Sequence, residues 1–377
     1  MDYKQAGMEQ RTIEIASPGR INIIGEHLDY NDGFVLPAAI DKRIRLKLMA
    51  NGTQSRCTIR SKGFEGVLEV DLYSLAPSNE NWHNYILGVL NELQKMTQSV
   101  KGFDCEMETN VPAGSGVSSS AALECGLAYG LNALFELGLD RWQLAHLCQR
   151  AEHTFVGSKC GIMDQFASLM GKKHHAMLLD CQSLAFEYIP TPLDPYVLLL
   201  LNTNVTHNLA ASGYNDRREE SAAALALVAE RFNVDPSYRN LTLSMVDDCE
   251  DALGEVLFRR CRYVLEENKR VLEAAEALKK GDLARLGELM YLSHHGQQKK
   301  YEVSCNELDF LVDLARGEEH ILGARMVGGG FGGCTLNIIH KDHVDNFVAK
   351  AKTAYERKFN IALTSFVTVP SDGTALQ

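Results

Sequence analysis

A proline and two glycines join a strand-like segment to a helix-like segment, and this junction constrains the fold more than any other stretch of the chain. Residues 103–111 are typical of a strand, and residues 121–137, rich in alanine and leucine, are typical of a helix. Pro112 follows the strand, and Gly114 and Gly116 allow backbone angles that other residues rarely adopt. The sequence therefore predicts a strand, a tight turn and a helix in direct succession.

The start of this helix, Ser118–Ser120, is a candidate phosphate site. The first N–H groups of a helix have no partner within it, and together with the helix dipole they attract anions. The segment has no Gly-Lys-Ser/Thr step, so it is not the common P-loop, whose lysine reaches the outer phosphates. A glycine turn followed by a serine cap is the alternative that these residues leave open.

A polar segment, residues 20–30, lies near the N-terminus. The cluster of polar residues is consistent with an ordinary polar hairpin loop. It is also consistent with a polyol-binding loop, because carboxylate acceptors together with arginine and histidine donors bind sugar hydroxyls. Neither a helical nor a strand period accounts for the spacing of its polar side chains. Five polar or ionisable residues fall within eleven positions: Arg20, Glu26, His27, Asp29 and Tyr30.

The order of elements predicts an α+β fold, because strands and helices do not alternate strictly. No Pro/Gly/Ser-rich linker marks a domain boundary. The expected strands are 12–16, 35–50, 57–60, 67–72, 103–111, 175–180, 196–205, 335–340 and 365–369, and the expected helices are 82–96, 118–137, 141–153, 216–232, 259–280, 282–294, 307–315 and 342–358.

Charge and cysteine content exclude several classes of protein. The net charge of −11 argues against nucleic acid or an anionic membrane as a partner, because both bind basic patches. The ten cysteines contain no CxxC pair and favour reduced thiols over a disulfide framework. The polar N-terminus lacks the apolar core of a signal peptide. We therefore expect a cytoplasmic protein, and nothing indicates an obligate protein partner.

Several segments together resemble the galactokinase family of the GHMP small-molecule kinase superfamily. The matches run in family order from about residue 12 to about residue 340. The resemblance implies a bilobal fold with the active site in the cleft between the lobes, which we divide into residues 1–195 and 196–377. The segments are GRINIIGEHLDYN (the galactokinase signature), PAGSGVSSSAALE (the phosphate loop), CGIMDQF (the segment of the catalytic aspartate) and VGGGFGGC (the third GHMP motif), supported by NVTHNLAASGYNDRR and YEVSCNELD.

The resemblance implies transfer of the γ-phosphoryl group of ATP to the anomeric hydroxyl of D-galactose, giving galactose 1-phosphate and ADP. Asp164 matches the family's general base. Arg20 matches the arginine beside it, whose charge would stabilise the carboxylate and the developing oxyanion; a structural ion pair is the alternative. The implied sugar contacts are Arg20, Glu26, His27, Asp29, Gly161, Asp164 and Tyr214.

The resemblance also implies Mg²⁺ as the cofactor, bound by Ser119 and Glu152, since this ion takes oxygen ligands and keeps several waters. An exposed helical glutamate is the competing interpretation of Glu152. Trp82 and Tyr85 match the aromatic wall of the adenine pocket, although aromatic residues three apart also occur in plain cores. The other nucleotide contacts lie in the phosphate loop: Gly114, Ser115, Gly116, Val117, Ser118, Ser119 and Ser120.

Two further patterns do not support a function. Gly328–Gly333 satisfies GxGxxG, but a strand is expected after it, whereas a dinucleotide fingerprint opens a helix. The doublets His174–His175 and His294–His295 lack metal-ligand spacing and are expected in surface loops.

Departures from the galactokinase pattern leave the identity of the sugar substrate open, above all its substituent at C2. They are Leu28, Gly213 and residues 296–300. A kinase for N-acetylgalactosamine, arabinose or a similar sugar is therefore a second hypothesis. A catalytically silent sugar sensor is a third, but such sensors lack the Ser-Ala step that Ser120–Ala121 provides here.

Overall fold

The computed structural model describes residues 11–62, 66–112, 114–206 and 210–377, so part of the 204–218 motif lies outside the described residues. The strands are β1 (Thr12–Asn22), β2 (Phe34–Val35), β3 (Pro37–Ala50), β4 (Arg56–Ser61), β5 (Val67–Asp71), β6 (Phe103–Thr109), β7 (His175–Asp180), β8 (Phe186–Pro190), β9 (Tyr196–Thr206), β10 (Ile321–Val327), β11 (Gly332–His340), β12 (Thr364–Thr368) and β13 (Ala375–Leu376). The helices are α1 (Asn81–Met96), α2 (Ser119–Leu134), α3 (Arg141–Ala151), α4 (Met163–Met170), α5 (Ala210–Phe232), α6 (Leu243–Asp247), α7 (Glu250–Lys280), α8 (Leu283–Gly296), α9 (Asn306–Arg316) and α10 (Val344–Phe359). The predicted α+β class is confirmed.

A six-stranded sheet in the order β13-β1-β3-β6-β4-β5 carries the polar N-terminal segment and the phosphate loop. Its neighbours are antiparallel except β4 and β6. Helix α2 packs against β1 and β3. Two helical glycines permit the close approach, because a Cβ on Gly126 or Gly130 would lie 2.5 and 2.3 Å from the side chains of Leu46 and Leu48. The phosphate loop is thereby fixed to the sheet that bears Arg20.

The second sheet, β10-β11-β9-β12, is covered on both faces. In β9, Leu198 and Leu200 belong to the large core cluster, whereas Leu199 and Leu201 pack in a smaller cluster with α9 and α10. A strand buried on both faces is apolar throughout, which explains the unbroken run of leucines. A third sheet contains β2, β7 and β8.

The elements differ from the predicted ones mainly around the site. Strand β1 continues to Asn22 because Arg20–Asn22 pair with residues 37–39 of β3. Helix α4, which carries Asp164, was not expected, nor were α6, β8 and β10. The surface-loop prediction for His294 is wrong: it is buried in α8, where Nδ1 accepts a hydrogen bond from the Met326 N–H at 3.3 Å.

The division at residue 195 stays a prediction. The large core cluster extends from Ile15 to Ile338, and β13 pairs with β1. In the part of the chain that the structure describes, no helix is long and apolar enough to cross a bilayer. All ten cysteines lie in described ranges and are unpaired.

Candidate active site

Arg20 and Asp164 form a two-pronged ion pair at the centre of the site. The Arg20 Nε and Nη2 atoms donate to Asp164 Oδ1 and Oδ2, each at 2.6 Å. Arg20 is buried in β1, whereas the Asp164 side chain, in the first turn of α4, remains 22% exposed. The guanidinium thus fixes both carboxylate oxygens while one side of Asp164 stays accessible.

The same arginine contacts the phosphate loop. Its Nη1 atom donates to the Gly116 carbonyl at 2.6 Å, and its backbone N–H donates to the Val117 carbonyl at 3.0 Å. The hydroxyl of Ser118 donates to Asp164 Oδ2. Ser118 therefore contacts the predicted base, a role that the sequence did not indicate.

The phosphate loop has the backbone that its sequence predicts. Gly114, Gly116 and Ser118 all have positive φ, and α2 begins at Ser119. The buried Ser115 hydroxyl donates to the Pro112 carbonyl at 2.6 Å and closes the turn. Because α2 starts here, its first N–H groups point toward the loop without carbonyl partners in the helix.

Trp82 and Tyr85 lie beside this helix start rather than in a closed core. They line a pocket of about 110 Å³, open to solvent on one side, together with Ser119 and Ser120. Ile44, Met107, Val111 and Leu123 add apolar walls to this pocket. An apolar cavity that ends at a phosphate-type loop fits a planar base joined to phosphates.

Glu152 lies at the end of α3, where the chain passes into a wide turn, Glu152–Val156. It is only 7% exposed, so the interpretation as an exposed helical glutamate is wrong. Its Oε2 atom accepts hydrogen bonds from the Cys160 thiol at 2.9 Å and the Gln165 amide at 2.8 Å. Burial raises the pKa of Glu152, as does the charge of Asp164, whereas hydrogen bonds from Cys160, Ser120 and Gln165 act against the rise.

Glu152 and the serines of the helix start can hold a magnesium ion. Glu152 is a buried carboxylate that reaches Ser120, and Ser119 is the neighbouring residue at the start of α2, so these residues offer oxygen ligands of the kind Mg²⁺ prefers. Among the described residues, no group of three or more His, Cys, Asp or Glu could enclose a metal ion. The donor set therefore fits an ion that takes few protein ligands and fills its other positions with water and phosphate oxygens.

The loop between β1 and β2, residues 23–33, contains three of the predicted sugar contacts, Glu26, His27 and Asp29. A Cβ on Gly161 would lie 2.2 Å from Asp29 Oδ2, so only glycine lets Asp29 approach this segment. Burial raises the pKa of Asp29 to about 7, with further contributions from the nearby charges of Asp164 and Glu26. Asp29, Gly161, Asp164 and Arg20 therefore surround one region.

His27 and Tyr214 flank that region. Their rings lie 5.3 Å apart, centre to centre, and both contact Tyr30. Burial lowers the pKa of His27 to about 3, so the imidazole is neutral. Its Nε2 atom lies 3.1 Å from the Gly329 carbonyl and its Nδ1 atom 2.8 Å from the Tyr30 hydroxyl.

Glu26 points away from these residues into the protein. Its carboxylate accepts hydrogen bonds from Asn22 at 2.8 Å and from the Gly328 N–H at 2.7 Å, and it lies 3.3 Å from the buried Arg325 guanidinium. Glu26 thus ties the β1–β2 loop to the β10–β11 hairpin, residues 328–331. Its direct sugar contact stays a prediction.

The β10–β11 hairpin also packs against the phosphate loop. A Cβ on Gly116 would lie 2.8 Å from the Val327 carbonyl, and one on Gly328 would lie 2.9 Å from the Gly116 carbonyl. Close packing of these backbones accounts for the glycine run, and strand β11 follows it, as expected for a segment that is no dinucleotide fingerprint.

These features define a class of small-molecule kinase. Residues 84–172 match the GHMP kinases N terminal domain, residues 274–357 the GHMP kinases C terminal domain, and residues 3–47 the galactokinase galactose-binding signature. The fold is also similar to that of the mevalonate kinase of Methanococcus jannaschii, with a TM-score of 0.67 at 17% identity over 97% of this chain and 99% of the other. The fold and site are those of a GHMP kinase.

Closer relatives define the family. The galactokinase of Thermotoga neapolitana is 40% identical, and that of Thermosipho africanus 39% identical, over 96% of this chain and 99% of each relative. The crystal structure of Lactococcus lactis galactokinase complexed with galactose has a TM-score of 0.91 at 34% identity, covering 97% of this chain and 95% of that one. The chain belongs to the galactokinase family, whose members are ATP-dependent sugar kinases.

Proposed function

We propose that this protein transfers the γ-phosphoryl group of ATP to the anomeric hydroxyl of D-galactose, with Asp164 as the general base. The observation that carries the proposal is the contact of one carboxylate with both halves of the site. Asp164 is held by Arg20 and Ser118, which belong to the signature strand and the phosphate loop, and it lies in the same region as Asp29. Sugar and phosphates would therefore meet at Asp164.

Phosphoryl transfer depends mainly on positioning and on stabilisation of charge. The first N–H groups of α2 would bind phosphate oxygens. Asp164 would accept the proton of the attacking hydroxyl, and Arg20, 2.6 Å from both carboxylate oxygens, would stabilise negative charge on the sugar oxygen and on the base. Mg²⁺, held by Ser119 and Glu152, would neutralise phosphate charge when bound.

The sugar would lie between Asp29, Gly161, His27 and Tyr214. Buried hydrogen-bonding groups reject a misplaced hydroxyl strongly, because their own polar atoms then lose partners. By resemblance to the family, we expect Asp29 and Tyr214 to contact O3 and O4 of the ring, and we therefore expect kcat/KM for galactose to exceed that for glucose by at least roughly 10³-fold. Tyr214→Phe should narrow this preference. We place the enzyme in the cytoplasm, where its unpaired cysteines would stay reduced.

The test combines an ADP-release assay on free galactose, glucose, N-acetylgalactosamine and arabinose with the variant Asp164→Asn. Removing a positioned general base costs about 10²–10⁴-fold in turnover. The variant should still bind galactose in isothermal titration. Asp313→Asn, at an exposed aspartate of α9, is the matched control and should retain turnover. Near wild-type turnover of Asp164→Asn would exclude it as the base, and equal rates on glucose and galactose would exclude the proposed specificity.

Ser119→Ala tests the nucleotide half of the site separately. The variant should weaken use of Mg·ATP and spare galactose affinity, because Ser119 lines the same pocket as Trp82 and Tyr85. Titrations with galactose alone and with Mg·ATP distinguish the two effects. Equal losses for both ligands would show a folding defect instead.

A further inference from the structure

A continuous series of hydroxyl groups lies behind His27. The Tyr30 hydroxyl is 2.8 Å from His27 Nδ1 and 3.0 Å from the hydroxyl of Tyr301. Tyr301, the first residue of the YEVSC segment, is fully buried, and its ring centre lies 5.0 Å from that of His27. The proposed phosphoryl transfer assigns no role to Tyr30 or Tyr301.

The Gly329 carbonyl, next to His27, determines which groups donate and which accept in these hydrogen bonds. A carbonyl oxygen only accepts, so this contact, at 3.1 Å, favours the tautomer of His27 with the proton on Nε2. Because burial keeps the imidazole neutral, Nδ1 then has a lone pair and accepts from the Tyr30 hydroxyl. The Tyr30 oxygen is left to accept a hydrogen bond from the Tyr301 hydroxyl.

Asn31 sets the same direction from the other end. Its Oδ1 accepts from the Ser221 hydroxyl at 2.8 Å, and its Nδ2 donates to the His27 carbonyl at 2.7 Å. That orientation turns Nδ2 toward the Tyr301 oxygen, 3.5 Å away, so Tyr301 accepts a hydrogen bond there. The Tyr301 hydroxyl has two acceptors for its own proton, the Tyr30 oxygen at 3.0 Å and the Arg217 carbonyl at 3.4 Å, and the shorter distance favours Tyr30. Both ends thus favour one arrangement of protons.

Tyr301 is itself fixed by two motifs that the proposed chemistry leaves without a role. Arg217, in the NDRR part of the 204–218 motif, donates from Nε to the Tyr301 carbonyl at 2.6 Å and from Nη2 to the Glu302 carbonyl at 3.1 Å. Two residues after Tyr301, the Val303 carbonyl accepts from the Phe331 N–H at 2.7 Å. The YEVSC segment is therefore anchored to α5 on one side and to the β10–β11 hairpin on the other.

We propose that Tyr301, acting through Tyr30, holds His27 in the Nε2–H tautomer, so that the ring stays fixed between the Tyr30 hydroxyl and the Gly329 carbonyl at this corner of the sugar site. The other tautomer would direct a lone pair of Nε2 at the Gly329 carbonyl and would break that hydrogen bond. Tyr301 is a positioning residue, not a catalytic one. The inference rests on the proposed sugar contact of His27 for its effect on kinetics, but not for the tautomer itself.

The first measurement is the tautomer. Nitrogen-15 NMR of protein labelled at histidine distinguishes the two ring nitrogens, and His27→Gln identifies the His27 signals. The unmodified protein should show the Nε2–H form. Tyr30→Phe and Tyr301→Phe should each move the signals toward a mixture of tautomers, because each removes one hydroxyl of the series.

The second measurement compares KM for galactose with KM for Mg·ATP in each variant. Losing one hydrogen bond of this kind should raise KM for galactose roughly 3- to 10-fold, with KM for Mg·ATP unchanged. The double variant should be no worse than the more severe single variant, because the hydroxyls act as one unit. Tyr355→Phe is the matched control: its buried hydroxyl donates to the Thr203 carbonyl at 2.9 Å in the smaller core cluster, so its loss should leave both KM values unchanged.

Wild-type tautomer signals in Tyr301→Phe would overturn the inference, as would additive effects of the two variants. An unchanged galactose affinity in His27→Gln would instead overturn the sugar contact of His27 and leave the tautomer measurement to decide the role of Tyr301. Tyrosine-to-phenylalanine changes keep the packing of the ring, and the NMR spectrum itself reports whether each variant is folded.

Discussion

At the scale of single residues, the surroundings of Asp29 bring the pKa of its carboxyl group close to neutral. Burial raises this pKa to about 7, and the nearby charges of Asp164 and Glu26 add to the effect. Arg20 acts in the opposite direction but is already engaged by Asp164. An ionised carboxylate accepts hydrogen bonds from sugar hydroxyls better than the neutral acid does, so ligand binding and ionisation of Asp29 should be linked.

Galactose affinity should therefore rise with pH. We assume that only the ionised form of Asp29 binds galactose well. With a pKa of about 7, the ionised fraction of Asp29 rises about 10-fold between pH 6 and pH 8, so galactose affinity should rise by the same factor. Isothermal titration across that range measures it. Asp29→Asn should bind more weakly but with no pH dependence, and a persisting 10-fold change in the variant would place the titrating group elsewhere.

The same shift predicts a cost to stability of the ligand-free protein. Because the pKa of Asp29 is higher in the folded protein than in the unfolded chain, protonated Asp29 stabilises the fold. This stabilisation is complete below about pH 4 and is lost as pH rises through about 7. It amounts to at most about 1.4 kcal/mol for each unit of difference between the two pKa values. Asp29→Asn should thus gain stability over the unmodified protein more at pH 8 than at pH 5. Urea unfolding at the two pH values provides the comparison, and a gain that does not depend on pH would contradict the argument.

At the scale of elements, the site depends on backbone contact between the phosphate loop and the β10–β11 hairpin. Residue patterns indicated both segments, because glycines, serines and the expected flanking strands are local signals. They did not indicate that Gly116 and Gly328 touch, since these residues are far apart in sequence. Helix α4 was missed for a different reason: it has only eight residues, fewer than the roughly 11–18 over which a helical period of apolar residues can be recognised in a sequence.

Gly116→Ala tests this contact. Gly116 has φ of 75°, and an added Cβ would lie 2.8 Å from the Val327 carbonyl, so one of the two backbones must move. We expect KM for Mg·ATP to rise about 10-fold or more, which corresponds to roughly 1.4 kcal/mol of lost binding. Steady-state kinetics with varied Mg·ATP measures the change.

Gly138→Ala is the control for backbone strain alone. Gly138 has φ of 71°, almost the same as Gly116, but an added Cβ there would meet nothing within 4 Å. Both variants incur the left-handed penalty of roughly 1–2 kcal/mol, and only Gly116→Ala should alter the kinetics. Similar KM values for both variants would show that the contact does not support nucleotide binding.

At the scale of the whole molecule, distant parts of the chain meet beneath helix α4. The hydroxyl of Thr374 donates to the Ser168 carbonyl at 2.9 Å and lies 2.8 Å from the hydroxyl of Ser17. The Ser168 hydroxyl in turn donates to the Pro18 carbonyl at 2.9 Å. Strand β1, helix α4 and the segment before β13 are joined here by fully buried polar groups. No sequence pattern indicated this junction, because isolated Ser and Thr residues are usually exposed.

Thr374→Val should therefore destabilise the protein although it hardly changes the shape of the side chain. It leaves a buried hydroxyl of Ser17 and the carbonyl of Ser168 without this partner, at a cost of about 1–3 kcal/mol. Thr353→Val removes an exposed hydroxyl that bonds within α10 and should cost much less. The two free energies of unfolding, compared by urea titration, test whether the junction joins the two ends of the sequence.

The double variant tests the coupling of the two hydroxyls. Ser17→Ala should lower the free energy of unfolding less in the Thr374→Val variant than in the unmodified protein, because the two hydroxyls share one hydrogen bond. Additive losses of stability would refute that coupling.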